Sequence, residues 1–112
     1  MDLAAFTKHI NITAQHAHER VARTVATHVS RYLINHPTIA PERLKKILIE
    51  QQRAYLAEAI ALRNNRGYPQ YRVMLTLVYP EGTDPTRSLA YACEYGRLAA
   101  LLLEEREVKH AS

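Results

Sequence analysis

The chain has 112 residues, 47% of them hydrophobic and 23% charged, which fits one domain over residues 1–112 and excludes a chain dominated by disorder. The single cysteine, Cys93, excludes an internal disulfide. No apolar run approaches the roughly 20 residues of a membrane span, and the acidic Asp2 does not fit a signal peptide. We therefore expect a cytoplasmic protein without a membrane partner.

Positive charge is concentrated in the first two thirds of the chain. Residues 1–72 hold eleven Lys or Arg against five Asp or Glu, whereas residues 73–112 hold four against six. This polarity predicts a polyanionic partner on one side of the molecule and a protein neighbour on the other. A surface that is charged only for solubility is the alternative, and charge alone does not separate the two.

The first predicted element is one continuous helix over residues 3–33, about 45–50 Å long. Apolar residues recur at steps of three or four, which is typical of a helix with one buried side. They are Leu3, Phe6, Ile10, Ala14, Ala17, Val21, Val25, Val29 and Leu33. Asp2 is the expected N-cap, and the helix is expected to end near Asn35, because His36 precedes a proline.

Two alternatives stay open for the start of this element. Asn11 and Thr13 are weak helix formers, so a break near them is one alternative. A short strand through Ile10 and Ile12 is the other.

The opposite side of the first predicted helix carries polar and cationic side chains. They are His16, Arg20, Arg23, Thr27 and Arg31. Arg20, Arg23 and Arg31 are the leading candidates for nucleic-acid binding, because a guanidinium group meets phosphate through two parallel N–H donors.

The second predicted helix runs from Pro41 to about Asn65, with Glu42 in its first turn and Gly67 as the stop signal. One apolar edge holds Leu44, Ile47, Leu48, Tyr55, Ala59 and Leu62, and a second edge holds Ile49, Leu56 and Ile60. A helix with two apolar edges is expected to be central in the bundle or to meet another subunit.

Four cations of this second region complete the set of nucleic-acid-binding candidates. Lys46 and Arg53 share a face of the helix with Arg43, and this face is interrupted by Glu50. Arg63 and Arg66 lie at the end of the helix, where the helix dipole also favours cations. Because the connection between the two predicted helices is short, we expect them to pack antiparallel with their cationic faces side by side.

Residues 68–80 alternate in a pattern typical of a strand, but no matching second strand exists, so we expect an extended segment near 70–80 or a short helix. Tyr68 there and Tyr32 in the first helix are candidates for base stacking, although a loop anchor and a core residue are the more ordinary roles. The last helix is expected from Pro85, capped by Asp84, to about Glu107.

One side of this last helix holds Leu89, Cys93, Gly96, Ala100 and Leu103. This pattern predicts that Cys93 is a small core residue and that another helix crosses closely at Gly96. Taken together, the elements predict an all-α protein, a compact bundle of long antiparallel helices.

Catalytic and metal-binding constellations are not evident in the sequence. His16 and His18 are two residues apart, which places them on different sides of a helix. No glycine-rich phosphate loop occurs, and Glu50 and Glu58, eight residues apart, have no evident partner for acid–base chemistry. We therefore expect a protein that is not an enzyme and uses neither cofactor nor metal.

From Leu62 onward, a series of short segments resembles a known family. The segments are Leu62-Arg63-Asn64-Asn65, the extended stretch 73–78, Thr83-Asp84-Pro85, Ala90-Tyr91 and the run Tyr95-Gly96-Arg97-Leu98-Ala99-Ala100-Leu101-Leu102. This order resembles the C-terminal region of the large subunit of type I-C CRISPR Cascade complexes. The same region is also known as a separately translated small subunit, a helical bundle.

The resemblance implies a non-catalytic small subunit present in more than one copy per complex. It would touch the guide-RNA-bearing backbone subunits and the large subunit, and basic residues would support the target and displaced DNA strands. The resemblance assigns no individual DNA contact, so the candidate residues rest on helical spacing. A dimeric DNA-binding regulator and a protein-only interaction adapter are the alternatives.

Overall fold

The computed structural model describes residues 1–63 and 85–111, and within these ranges the chain forms helices and no strand. The helices are α1 (Leu3–His16), α2 (Arg20–Asn35), α3 (Pro41–Arg63) and α4 (Pro85–Ala111). The predicted all-α bundle is thus confirmed. The predictions for the segment near 70–80, for Tyr68 and for Arg66 lie outside the described residues.

The single helix predicted over residues 3–33 is wrong, because the chain turns at residues 17–19 between α1 and α2. Ala17 is extended, with φ −64° and ψ 133°, while its N–H still bonds to the Thr13 carbonyl at 3.0 Å. The middle of the apolar stripe consists largely of small residues and offers little surface to hold a straight helix together. The break lets α1 pack against α2, so that Phe6 and Ile10 are fully buried.

Of the two alternatives for the start of the chain, the break in the helix does occur, four residues beyond Thr13, and the strand is wrong. α1 is helical through Asn11 and Thr13, so the break comes later than the weak helix formers, and no strand forms through Ile10. Asn11 instead links the two helices, since the Ser30 hydroxyl donates to its side-chain oxygen at 2.9 Å. The predicted cap is confirmed, because the Asp2 carboxylate accepts the Ala5 N–H at 2.8 Å.

α3 and α4 pack against each other in antiparallel directions. The Tyr55 ring stacks on Tyr91, with centroids 5.0 Å apart, and lies 5.8 Å from the Tyr95 centroid. The Gln52 side chain meets Gly96. Because the sequence advances along α3 while the facing residues move back along α4, the two helices run in opposite directions. α3 reaches Gly96 through the end of the Gln52 side chain, and a close crossing of the helix itself at this residue stays a prediction.

The helix pairing differs from the predicted one. α3 packs mainly against α4 and α2 mainly against α1, while the backbones of α2 and α3 scarcely meet. Antiparallel packing of the first helical region on α3, with cationic faces side by side, is therefore wrong. Among the described residues, α4 rather than α3 is the helix that closely approaches each of the other three. None of the described helices has the length and apolar character to cross a bilayer.

The first apolar edge of α3 is buried as expected through Ala59, whereas Leu56 and Ile60 of the second edge are exposed. Contact of this second edge with another subunit stays a prediction. Two predictions for α4 are wrong. Cys93 is exposed, not a core residue, because the buried side of α4 is the neighbouring stripe. That stripe consists of Ser88, Tyr91, Ala92, Tyr95, Leu98, Ala99 and Leu102. α4 also continues four residues beyond the predicted end at Glu107.

Candidate nucleic-acid interface

The outer face of α2 carries the three leading candidates on one side of the helix. Arg20, Arg23 and Arg31 are all exposed, while the opposite side of α2 buries Val25 and Val29 in the core. At about 1.5 Å per residue, Arg20 and Arg31 are roughly 16 Å apart along the axis. We call these three arginines the α2 cationic face.

The guanidinium groups of the α2 cationic face remain available to an anion. Within the described part of the chain, none of the three is paired with a carboxylate, and Arg23 donates only to the Ala17 carbonyl at 3.2 Å. Thr27, in the middle of the face, directs its hydroxyl to the Arg23 carbonyl at 2.8 Å. The arginines are therefore the groups on this face that are free to bind phosphate.

His28 borders this face and is half-buried. Burial lowers the pKa of His28 below its ordinary value, and the positive charge of Arg31 lowers it further. Its ring is thus neutral at neutral pH. The charge of the face comes from arginine, which stays protonated at every physiological pH.

The remaining candidates are placed elsewhere. Lys46 and Arg53 are exposed on α3, two turns apart on one side of the helix. Because α2 and α3 pair with different helices, no described contact joins these two cations to the α2 cationic face. Arg63 is the last residue of α3, and its side chain is not described.

Tyr32, the candidate for base stacking within the described residues, belongs to the core. Its side chain is 9% exposed, and its ring stacks on His36 with centroids 4.1 Å apart. The ring is thus already covered on one face and largely enclosed, so it does not offer a stacking surface to a nucleic-acid base.

Sequence reasoning missed a row of buried polar side chains between α3 and α4. On α3 these are Gln51, Tyr55 and Glu58, and on α4 they are Ser88, Tyr91 and Tyr95, all at most 6% exposed. Within each helix these residues recur at the helical period. Because Gln and Glu are usually exposed in proteins, this spacing did not predict that they would be buried. We call this row the polar seam.

The polar seam encloses groups whose ionisation depends on burial. Burial raises the pKa of Tyr95 well above its ordinary value, so its phenol stays protonated at neutral pH. Among the described residues, no group of three His, Cys, Asp or Glu side chains is placed to hold a metal ion. Glu50 and Glu58 do not converge, since Glu58 is fully buried while Glu50 is partly exposed.

The described part of the family-like motif has packing roles. Tyr91 and Tyr95 flank Tyr55, while Leu98 is buried in the core. The side chain of Arg97 donates to its neighbour Glu94, with the two nitrogen–oxygen bonds from Nε at 3.2 and 3.3 Å. The described residues of the motif therefore pack α4 into the bundle, whereas the candidate interface lies on α2.

Within the described residues, fold and surface together define an all-α protein whose helix α2 has an exposed cationic face with no carboxylate partner. Comparison with known proteins adds no relative to this class. No family model matches the chain, and neither a curated protein nor a solved structure is similar to it.

Proposed function

We propose that this protein is a non-catalytic subunit that binds the sugar–phosphate backbone of nucleic acid through the α2 cationic face. The observation that carries the proposal is the exposure of Arg20, Arg23 and Arg31 on one side of α2, with no carboxylate partner in the described residues. Because no described carboxylate pairs with them, these guanidinium groups lose no intramolecular ion pair when they bind phosphate.

Binding of this kind contacts phosphates and does not read bases. Each guanidinium can engage a phosphate through two N–H donors, and a face about 16 Å long spans several phosphates of one strand. Phosphate contacts position a protein on nucleic acid and carry no sequence information by themselves. The protein would therefore support a strand whose sequence is read by another component.

In its finer form, the proposal assigns this chain to a type I CRISPR Cascade complex as a cytoplasmic small subunit. The resemblance of residues 90–102 and the segments before them supports this assignment. In such a complex the guide RNA supplies specificity by base pairing, and protein cations support the target and displaced strands. Backbone and large subunits, and more than one copy of this chain, complete the proposed assembly.

Charge reversal on matched surfaces tests the proposal directly. The test variant R20E/R23E/R31E is compared with K8E/R43E/R87E, which reverses three other exposed cations and has the same net charge. Binding to a labelled single strand and a labelled duplex is measured by fluorescence anisotropy over a salt series. The test variant should bind at least about tenfold more weakly than the control variant at low salt.

The salt series distinguishes specific contacts from overall charge. If each arginine engages one phosphate, the log–log salt slope should become shallower by about 2 to 3 in the test variant. Equal losses in the two variants would contradict the proposal. A consensus sequence from a random-site selection would favour the dimeric regulator, and unchanged binding partners after charge reversal would favour the protein-only adapter.

Assignment to a Cascade complex needs a separate experiment. Neighbouring CRISPR genes and co-purification of the tagged chain with guide-RNA-bearing subunits would support it, and sizing of the particle would give the copy number. A protein that purifies alone from cells expressing those genes would contradict the finer assignment while leaving backbone binding intact.

A further inference from the structure

The residue just before the α2 cationic face, Glu19, carries a carboxylate. It is the N-cap residue of α2, with extended backbone at φ −75° and ψ 129°, and it is exposed. Glu19 is next to Arg20 and four residues before Arg23, and a glutamate four residues before a basic residue is well placed for an ion pair along a helix. Local spacing therefore favours a pair of Glu19 with Arg23, which would occupy one guanidinium group of the face.

The structure does not form this pair. Among the described residues, Glu19 makes no ion pair with Arg20 or Arg23, and its side chain makes no capping hydrogen bond at the start of α2. The Arg23 guanidinium group donates instead to the Ala17 carbonyl at 3.2 Å. Glu19 thus leaves the partners that its own helix offers unused, so its carboxylate is held away from them.

The charge of Glu19 acts on Arg97, across the packing of α2 against α4. The exposed Arg97 is fixed against Glu94, because its Nε donates to both carboxylate oxygens at 3.2 and 3.3 Å. These hydrogen bonds are the main cause that raises the pKa of Arg97, and the charges of Glu94 and Glu19 raise it further. Arg97 is therefore a fixed cation on α4 that attracts Glu19 without a direct ion pair.

We infer that Arg97 is a positioning residue for the α2 cationic face, because it attracts Glu19 toward α4 and so keeps Arg23 available to phosphate. The inference rests on the proposed function, since it concerns phosphate binding by Arg23. Arg97 acts through Glu19 and does not itself bind the strand, because its guanidinium group is occupied by Glu94. Without Arg97, Glu19 would pair with Arg23, and a phosphate group would have to displace this carboxylate.

A double-mutant cycle between Arg97 and Glu19 tests the inference. R97Q, E19Q and E19Q/R97Q are compared with the unmodified protein in binding to a labelled DNA single strand, by fluorescence anisotropy at low salt. R97Q should weaken binding about two- to fivefold, because the exposed ion pair that forms between Glu19 and Arg23 has to be broken. In the E19Q background, the same substitution should change binding by less than about 1.5-fold.

Two further variants control for charge and for folding. R87Q removes another exposed arginine of α4, and its effect on DNA binding should be the same whether or not Glu19 is present. R97K keeps a cation that attracts Glu19, so it should bind DNA within about 1.5-fold of the unmodified protein. Circular dichroism confirms that each variant remains folded.

A measurement without nucleic acid separates this inference from the proposed function. In the free protein, the NMR signal of the Arg23 Nε–H group should move when R97Q is introduced alone. It should hardly move between E19Q and E19Q/R97Q, because neither of these variants has a carboxylate at position 19 to pair with Arg23.

Two outcomes would overturn the inference. One is an equal loss of DNA binding for R97Q in both backgrounds, since Arg97 would then act through its own charge. The other is an Arg23 signal that R97Q leaves unchanged. If the unmodified protein does not bind DNA at all, the proposed function fails, and the Arg23 signal still decides whether Arg97 keeps Glu19 away from Arg23.

Discussion

The α1–α2 pair and the α3–α4 pair place their polar residues in opposite environments. In the first pair the notable polar groups are Arg20, Arg23 and Arg31, which point away from the core. In the second pair, Gln51 and Glu58 are fully buried in the polar seam. Both sets recur at helical spacing, so their patterns in the sequence are similar, although one set is exposed and the other is buried.

This difference separates side chains that can be changed freely from those that cannot. An exposed guanidinium contributes little to stability, because water solvates it in the folded and unfolded states alike. A buried ring or carboxyl group leaves a cavity or an unsatisfied neighbour when it is removed. We therefore expect substitutions on α2 to alter binding, and substitutions in the polar seam to alter folding. Four measurements would break or sharpen this comparison.

The largest effect is expected for Tyr55→Ala in the polar seam. Tyr55 is 1% exposed and stacks against two other tyrosines, so its removal should lower the free energy of unfolding by about 3–5 kcal/mol. Tyr55→Phe keeps the stacked ring and should cost no more than about 1.5 kcal/mol. Arg31→Ala should stay within about 0.5 kcal/mol. Urea denaturation measures the free energy of unfolding of all three variants. Equal losses for Tyr55→Ala and Arg31→Ala would contradict the expected difference in stability between the polar seam and the α2 cationic face.

A smaller effect is expected where α1 begins. Asp2→Ala removes the acceptor of the Ala5 N–H and should cost about 1 kcal/mol. Asp2→Asn keeps a side-chain oxygen at the cap and should remain within about 0.5 kcal/mol of the unmodified protein. If both variants lose the same amount in urea denaturation, the negative charge and not the hydrogen bond holds the end of α1.

At the crossing of α3 and α4, Gly96 and Gln52 should be coupled. A Cβ at position 96 would overlap the Gln52 carboxamide, so Gly96→Ala gains helix propensity but forces that side chain to move. We expect Gly96→Ala to be nearly neutral alone and to stabilise by about 1 kcal/mol in a Gln52→Ala background. If the two substitutions have additive effects in the double-mutant cycle, the overlap between residue 96 and Gln52 does not lower the free energy of unfolding.

The smallest effect is expected in the pH dependence of stability, through His28 on α2. Because burial and Arg31 lower the pKa of His28, the unfolded chain takes up this proton first as the pH falls below 6.5. His28 therefore makes the protein less stable on acidification. His28→Gln should lose less free energy of unfolding between about pH 7.5 and 5.5 than the unmodified protein does. An identical loss would show that His28 titrates normally.

The candidate site was more predictable than the way the helices pair. The face containing Arg20, Arg23 and Arg31 follows from their steps of three and four residues, and these residues do share one exposed side of α2. The apolar spacing did not reveal that the helix breaks before Arg20, because the apolar residues keep their steps of three or four across residues 17–19. The weak helix formers Asn11 and Thr13 did indicate a break, a few residues before its actual position. Cys93 was placed in the core because its stripe is apolar, although the stripe beside it is the one that faces α3.

The polar seam could not be predicted from residue types alone. Glutamate is usually a surface residue, and Glu58 is buried only because α4, a helix distant in sequence, packs against α3. Leu56 and Ile60 differ from the predicted surroundings in the opposite direction. Their apolar side chains predicted contact with another helix or subunit, but both are exposed in the bundle.

Local spacing by itself determined that the chain is helical, where α3 and α4 begin, and which arginines share a face, because these depend on the period of one helix and on its capping residues. Tertiary structure decided that α1 packs against α2, that α4 and not α2 packs along α3, and that Gln51 and Glu58 are enclosed. These outcomes depend on which apolar stripes cover one another, and that is a property of the assembled chain and not of any one segment.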